Sequence, residues 1–243
     1  MKIPRMRGLI DRRVLVNFRV DADVLRRLCP PPFRPQTVDG FGVAGICLIR
    51  LKNIRPNCLP AYLGVSSENA AHRLAVEWDE NGRSQTGVYI PRRDTSSALN
   101  AFAGGRIFPG IHHRARFQVR ETEKEYYVSM KSLDGSTDIV VDGYTTDQLP
   151  GDSLFATVSE CSRFFEEGSL GYSPEKSFTK FDGLEIKTEN WHVQPLAVTQ
   201  VQSTFFDDRE AFPSGSVTFD SALLMRGIHH EWHSHEPICC TGN

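Results

Sequence analysis

Most of the chain consists of short runs in which apolar and polar residues alternate, a pattern typical of β-strands with one buried face. Residues 14–20 form such a run, and residues 41–51 form a longer, nearly continuous apolar run, which indicates a strand covered on both faces. Residues 115–120, 126–132 and 137–145 are separated by short polar turns and predict an antiparallel meander. The pattern therefore predicts a mainly β protein.

The rest of the chain adds strands and a few helices. Strands are expected at 84–90, 184–188, 191–193, 196–206 and 216–224, and helices at 21–28, 95–102 and 159–167. Residues 66–78 are ambiguous, because the first half fits a helix and the second half alternates like a strand. We expect one domain over 1–243, a closed or nearly closed antiparallel barrel with peripheral helices, and a flexible tail at 228–243.

The amino-acid composition is that of a globular protein. The 243 residues are 40% hydrophobic and 24% charged, as in ordinary globular proteins, and the net charge of -2 argues against a nucleic-acid or anionic-membrane partner. We find no signal peptide and no apolar run long enough to span a membrane. The six cysteines lack metal-ligand spacing, so we expect a cytoplasmic protein with free thiols.

Residues 87–97 contain the first candidate site. A strand-like run reaches Pro91, which ends ladder pairing, and Arg92, Arg93 and Asp94 follow at once. A guanidinium matches the two oxygens of a carboxylate, so two adjacent arginines suit a small organic acid. The alternative is that both arginines pair with surface carboxylates.

Glu68 and His72 form the second candidate group. If residues 66–73 are helical, these side chains share a face at a spacing of four and can act as general acid and base beside the arginines. The alternative is that Glu68 only caps a turn.

The other clusters of polar residues give weaker evidence for a functional site. The histidines of 229–235 do not match a zinc-protease spacing, and residues 104–114 lack a nucleotide-binding pattern, so we predict neither metal nor cofactor. Of His112 and His113, one side chain must face away from any pocket. Tyr172 lies in a glycine-framed loop, where it lines the mouth of the barrel or packs.

Several segments resemble an uncharacterised bacterial family, often labelled YqjF-like, of the acetoacetate decarboxylase-like superfamily. They are residues 17–25, 30–35, 44–56, 66–73 (Ser66-Ser-Glu-Asn-Ala-Ala-His-Arg73), 89–97 (Tyr89-Ile-Pro-Arg-Arg-Asp-Thr-Ser-Ser97) and 231–233. The resemblance spans nearly the whole chain. It implies a cone-shaped antiparallel β-barrel with an interior pocket, and a homo-oligomer.

The more distant resemblance to the decarboxylase itself implies specific residues. Its active-site glutamate matches Glu68, its N-terminal arginine falls at Arg12 or Arg13, and its two adjacent lysines are replaced by Arg92 and Arg93. Arginine stays protonated and does not attack a carbonyl, so decarboxylation through an imine is not expected.

Two functional hypotheses follow. In the first, the protein is an enzyme on a small carboxylate or keto acid: Arg92, Arg93, Asp94, Arg13 and Tyr172 bind the ligand, and Glu68 and His72 move protons. The second is a non-catalytic small-molecule binding or sensing protein on the same scaffold. A purely partner-binding role is a third interpretation.

Overall fold

The computed structural model describes residues 5–104, 109–176 and 179–239, and within these ranges it has thirteen strands and three α-helices. The strands are β1 (Met6–Asp21), β2 (Arg34–Pro35), β3 (Thr37–Val38), β4 (Phe41–Pro56), β5 (Val65–Glu80), β6 (Arg83–Thr95), β7 (His112–Glu121), β8 (Glu125–Ser132), β9 (Asp138–Thr145), β10 (Leu170–Pro174), β11 (Lys180–Thr188), β12 (Gln194–Ser203) and β13 (Val217–Cys239). The helices are α1 (Ala22–Leu28), α2 (Ala98–Ala103) and α3 (Val158–Glu167). The mainly β prediction is confirmed.

Local sequence signals account for the helix ends. Asp21 caps α1 by accepting a hydrogen bond from the backbone N–H of Asp23 at 3.3 Å, and Thr157 caps α3 in the same way through Glu160 at 3.1 Å. Gly168 closes α3. One expectation is wrong, because residues 191–193 are not a strand. The ambiguous residues 66–78 lie entirely within strand β5.

The strands of the described chain pair into one sheet that closes on itself twice. A larger ring of nine strands runs β6-β7-β8-β9-β12-β13-β1-β4-β5 and returns to β6. A smaller ring of seven runs β11-β10-β6-β5-β4-β1-β13 and returns to β11. The two rings share five long strands, so each face of these strands belongs to a different ring.

Two pairings depart from the expected antiparallel pattern. Strand β6 pairs in parallel with β7 and with β10. A parallel neighbour requires a crossover connection rather than a hairpin. Between β6 and β7 that connection contains α2, which places this helix at the end of the smaller ring.

Four of the five shared strands, β1, β4, β5 and β13, contribute side chains to two cores. In β1, Val14 and Val16 pack into the core that includes Met130 of β8, whereas Leu15 packs into the core that includes Phe165 of α3. Successive side chains of a strand point to opposite faces. Because both faces of these strands are buried, neither face has to carry polar side chains. This explains why residues 41–51 of β4 form a nearly continuous hydrophobic run.

The expected flexible tail is wrong for residues 228–239. They form the second half of β13, which pairs with β1, as in Met6 opposite Trp232, and with β11. His233 contacts Glu231 at 3.0 Å and His235 contacts Glu185 at 2.8 Å. Residues 240–243 lie outside the described residues.

Among the described residues, no group of three or more histidine, cysteine, aspartate or glutamate side chains is placed to hold a metal ion. No helix there is long and apolar enough to cross a membrane. The described cysteines, Cys29, Cys47, Cys58, Cys161 and Cys239, are free thiols.

Candidate functional site

A cavity of about 160 Å³ lies inside the smaller ring. Every strand of that ring contributes to its wall: Arg13 from β1, Cys47 from β4, Asn69 from β5, Arg93 from β6, Gly171 from β10, Leu184 from β11 and Trp232 from β13. Much of the remaining wall is aliphatic, as in small-molecule sites where a few polar groups orient a ligand.

Arg13 faces this cavity, and its partners are uncharged. Its Nε donates to Cys47 Sγ at 3.3 Å, and its guanidinium lies 5.8 Å from the ring centre of Trp191. Its neighbour Arg12 points to the other face of β1 and is only 1% exposed. The choice between the two arginines, left open by the sequence, is therefore settled geometrically in favour of Arg13 as the cavity residue.

Arg73 of β5 is a second cavity arginine and is only 5% exposed. It donates to the Asn17 side-chain oxygen, and its guanidinium lies 4.5 Å from the ring centre of Phe165. Its buried Nε has no hydrogen-bond partner among the described residues. Burial lowers the pKa of this guanidinium to about 10, which leaves it cationic at neutral pH.

Arg93 is the third cavity arginine. Its Nε donates to Ser173 Oγ at 2.9 Å, and burial lowers its pKa to about 10. Arg92 points to the opposite face of β6, where its guanidinium binds Asp94 at 2.8 Å and Asp134 at 3.2 Å. Only one of the two adjacent arginines therefore belongs to the cavity.

The three cavity arginines differ from the other buried arginines in charge balance. No described carboxylate lies within 4.0 Å of Arg13, Arg73 or Arg93, whereas Arg12, Arg50 and Arg92 all have such partners. Isolated charges inside a protein are costly unless they are paired. The cavity consequently carries uncompensated positive charge.

His112 completes the polar part of the wall. It pairs in register with Arg93 across β6 and β7, and its Nδ1 lies 3.3 Å from the Asn100 carbonyl oxygen. A carbonyl only accepts, so Nδ1 carries the proton and Nε2 carries a lone pair. Burial and, secondly, the charge of Arg93 lower the pKa of His112 to about 3, so the ring is neutral.

Asn69 joins the cavity wall to helix α2. Its side-chain oxygen accepts from Thr95 Oγ1 at 2.8 Å, and its amide nitrogen donates to Ser67 Oγ at 3.0 Å. The same hydroxyl accepts from the Asn100 side chain at 3.1 Å. This network fixes α2 over the cavity and thereby positions the carbonyl that orients His112.

Glu68 does not line the cavity. Its two carboxylate oxygens bind Arg12 at 2.6 Å and Arg50 at 2.5 Å, on the face of β5 that belongs to the larger ring. Glu121 of β7 joins the same network through Arg12 at 2.9 Å. The helical interpretation of this segment is wrong, and the structure separates Glu68 from Arg93.

His72 also lies on the larger-ring face. It is fully buried, its Nε2 lies 3.1 Å from Ser203 Oγ, and its ring stacks on Phe205 with centroids 4.4 Å apart. Burial and the charge of Arg92 lower its pKa to about 3. His72 is therefore a neutral core residue in this geometry, away from the cavity wall.

Tyr172 and Asp94 have structural partners. Tyr172 is buried beside Phe33 and Trp78, with ring centroids 5.6 and 5.3 Å away, and burial raises its pKa to about 12. It faces away from the cavity, which its neighbour Gly171 lines. Asp94 borders the cavity, but its carboxylate accepts from Arg92 Nε at 2.9 Å, and burial raises its pKa.

A family described as an uncharacterized conserved protein, DUF2071, matches residues 10–225. The chain belongs to the DUF2071 family. No curated protein gives a significant sequence match.

Solved structures show which fold this DUF2071 protein has. The enduracididine biosynthesis enzyme MppR, complexed with pyruvate, is 15% identical with a TM-score of 0.62, over 99% of this chain and 91% of that one. Acetoacetate decarboxylase from Legionella pneumophila is 10% identical with a TM-score of 0.58, over 95% and 87%. An acetoacetate decarboxylase-like enzyme from Sphingomonas wittichii is 10% identical with a TM-score of 0.57, over 98% and 93%. The DUF2071 chain therefore has the acetoacetate decarboxylase-like fold.

Sequence reasoning missed Cys47, Asn69 and Arg73 of this DUF2071 chain and left His112 and His113 as alternatives. Cys47, Asn69, Arg73 and His112 all line the cavity. The alternation of side chains along a strand could have identified two of them. If residues 66–78 are interpreted as a strand, Asn69 and Arg73 share a face opposite to Glu68. Assignment of His112 instead of His113 required the register of β7 on β6.

Proposed function

We propose that the cavity of this DUF2071 protein binds a small organic acid through its carboxylate. The observation that carries the proposal is the set of three cavity arginines, Arg13, Arg73 and Arg93, without a carboxylate partner among the described residues. A bound carboxylate compensates their charge and matches the guanidinium geometry.

The size and lining of the cavity support a small ligand with an apolar part. Its volume of about 160 Å³ fits an acid of a few carbon atoms. Aliphatic side chains such as Ile49, Leu51 and Ile186 complete the wall and exclude water, which strengthens the attraction between the arginines and an anion. The structure of MppR with pyruvate shows that a small organic acid is accommodated in a protein of this fold.

We further propose that the ligand is held without an imine. None of the described residues that line the cavity is a lysine. Lys52, the lysine nearest in sequence to the site motifs, is 45% exposed and binds Asp11 at 2.8 Å. An arginine at the position of Arg93 binds an anion but supplies no nucleophilic amine.

Isothermal titration calorimetry with acetate, propionate and pyruvate tests the binding proposal. Arg93→Gln is expected to weaken the tightest acid at least tenfold, because a charge-assisted hydrogen bond to the carboxylate is lost. Arg120→Gln is the matched control: it removes the same charge from an exposed side chain that lies over Tyr127 of the larger ring.

Two results would refute this function. One is that none of the acids binds the wild-type protein. The other is that Arg93→Gln and Arg120→Gln bind the acids equally well. Nuclear magnetic resonance of the bound acid over hours then separates an enzyme, which consumes it, from a binding protein, which leaves it unchanged.

A further inference from the structure

Arg93 and His112 form a pair of adjacent groups on the cavity wall. They are register partners on the parallel strands β6 and β7, and both line the cavity. Neighbouring strands are about 4.8 Å apart, so the side chains of register partners lie side by side on one face. A ligand whose carboxylate binds Arg93 therefore lies on the same cavity wall as His112.

His112 can only accept a hydrogen bond from a ligand group that lies beside its Nε2. Its Nδ1–H is committed to the Asn100 carbonyl oxygen at 3.3 Å, and no described residue donates to its Nε2. The helix-capping Ser97, which accepts from the Asn100 backbone N–H at 3.2 Å, and the Asn100 side-chain bond to Ser67 hold that carbonyl in place. An unprotonated imidazole nitrogen accepts a hydrogen bond and cannot donate one.

We propose that His112 Nε2 accepts a hydrogen bond from a hydroxyl group next to the carboxylate, so that the cavity selects 2-hydroxy acids over 2-oxo acids. This inference rests on the proposed carboxylate site at Arg93. A 2-hydroxy group supplies the donor that Nε2 lacks. A 2-oxo group presents only lone pairs to another lone pair, and the pairing is lost.

The neighbouring histidine provides an internal comparison. His113 points to the other face of β7, where its Nδ1 lies 2.9 Å from Asp134. It has the same chemistry and nearly the same place in the chain, but it does not border the cavity. Substitution of His113 therefore controls for any general effect of losing an imidazole from this strand.

Calorimetric titration with D- and L-lactate, pyruvate and propionate, which share a three-carbon skeleton, tests the inference. The wild-type protein is expected to bind one lactate enantiomer about tenfold more tightly than pyruvate. His112→Phe keeps a flat ring but removes the acceptor, and the ratio is expected to fall to about one. His112→Gln, whose side-chain amide oxygen reaches the place of Nε2, and His113→Phe are both expected to retain a preference for lactate.

The outcomes separate this inference from the proposed function. Equal binding of lactate and pyruvate by the wild type, or an unchanged ratio in a folded His112→Phe, overturns the selection of 2-hydroxy acids and leaves the carboxylate site standing. If no acid binds, the carboxylate site fails and this inference fails with it. Arg93→Gln is expected to weaken both acids and to lower the preference for lactate, because the hydroxyl group reaches His112 only while the carboxylate is bound at Arg93.

Discussion

Arg12 and Arg13 are consecutive residues of β1 that serve different rings. Arg12 binds Glu68 at 2.6 Å on the larger-ring face, whereas Arg13 donates to Cys47 at 3.3 Å inside the smaller ring. The same division separates Arg92, which binds Asp94, from Arg93 in the cavity. One set of arginines thus neutralises fixed carboxylates, and the other remains available to an anionic ligand.

Glu68→Gln tests whether the arginines that bind fixed carboxylates stabilise the fold. Because Arg12 is 1% exposed, removal of one carboxylate leaves it with only Glu121, and we expect a loss of about 3 kcal/mol in the free energy of unfolding. Binding of the organic acid to the folded protein is expected to stay unchanged. Urea denaturation measures the first effect and calorimetric titration the second.

The control for this prediction is Glu77→Gln, which removes a carboxylate from a half-exposed pair with Arg34 and is expected to cost less than about 1 kcal/mol. A folded Glu68→Gln protein that no longer binds the acid would show that Glu68 acts on the ligand, as its sequence context implied.

Much of the fold could be predicted from the sequence because its signals are local. The alternation in residues 115–145 defines the strands β7 to β9, and Asp21 and Gly168 mark helix ends. The segment 66–78 was ambiguous because Ala70 and Ala71 are good helix formers. Pairing with β4 and β6 on both sides overrides that propensity, and such pairing is not encoded locally.

The site could be predicted only in part for a related reason. Adjacent arginines in a strand guarantee that one of them faces each side, but the sequence does not say which side holds a cavity. That assignment depends on the second closure of the sheet, through β10 and β11, which joins strands far apart in the chain. Arg93 was therefore identified, His112 was left open together with His113, and Arg73 was not identified.

Arg13→Met tests the cost of keeping an unpaired cation in the cavity. The partners of Arg13 are the sulfur atoms of Cys47 and Met225 and the ring of Trp191, so an apolar side chain of similar length leaves no carboxylate unpaired. We expect the free energy of unfolding of the ligand-free protein to rise by about 1 kcal/mol. Acid affinity is expected to fall at least tenfold.

Thermal and urea denaturation, each with and without the acid, measure both parts of this prediction. A matched change is Arg50→Met, which leaves Glu68 and Glu121 short of a partner and is expected to lower stability instead. Loss of stability in Arg13→Met would mean that its contacts hold the fold, against the functional interpretation.

Arg93→Lys tests the chemical consequence of an arginine at this position. Burial and the nearby cations should lower the pKa of the new amine, so that a fraction is neutral and attacks a ketone. With acetoacetate and borohydride, we expect a covalent adduct on Arg93→Lys and none on the wild type. Mass spectrometry of the intact protein and of its peptides detects and locates the adduct.

Arg92→Lys is the control for that experiment, since its side chain faces Asp94 and Asp134 and should form no adduct. A saturable adduct on the wild-type chain would contradict the proposal that the ligand is held without an imine.

The buried histidines predict how stability depends on pH. Burial lowers the pKa of His72 to about 3 and, together with Arg13, that of His230 to about 4, from an ordinary value of 6.5. The unfolded chain therefore binds more protons than the folded chain below pH 6.5, and stability falls as the pH decreases from 6.5 towards 4. Each histidine is expected to cost about 1.4 kcal/mol between pH 7.5 and pH 5.5.

Urea denaturation at the two pH values measures this cost. His72→Phe preserves stacking on Phe205 and should reduce the pH-dependent loss by about 1.4 kcal/mol, whatever its effect at pH 7.5. His192→Gln, which alters an exposed histidine, is the control substitution. If His72→Phe and the wild type lose the same stability, His72 is protonated in the folded protein, and its burial beside Arg92 does not control its charge.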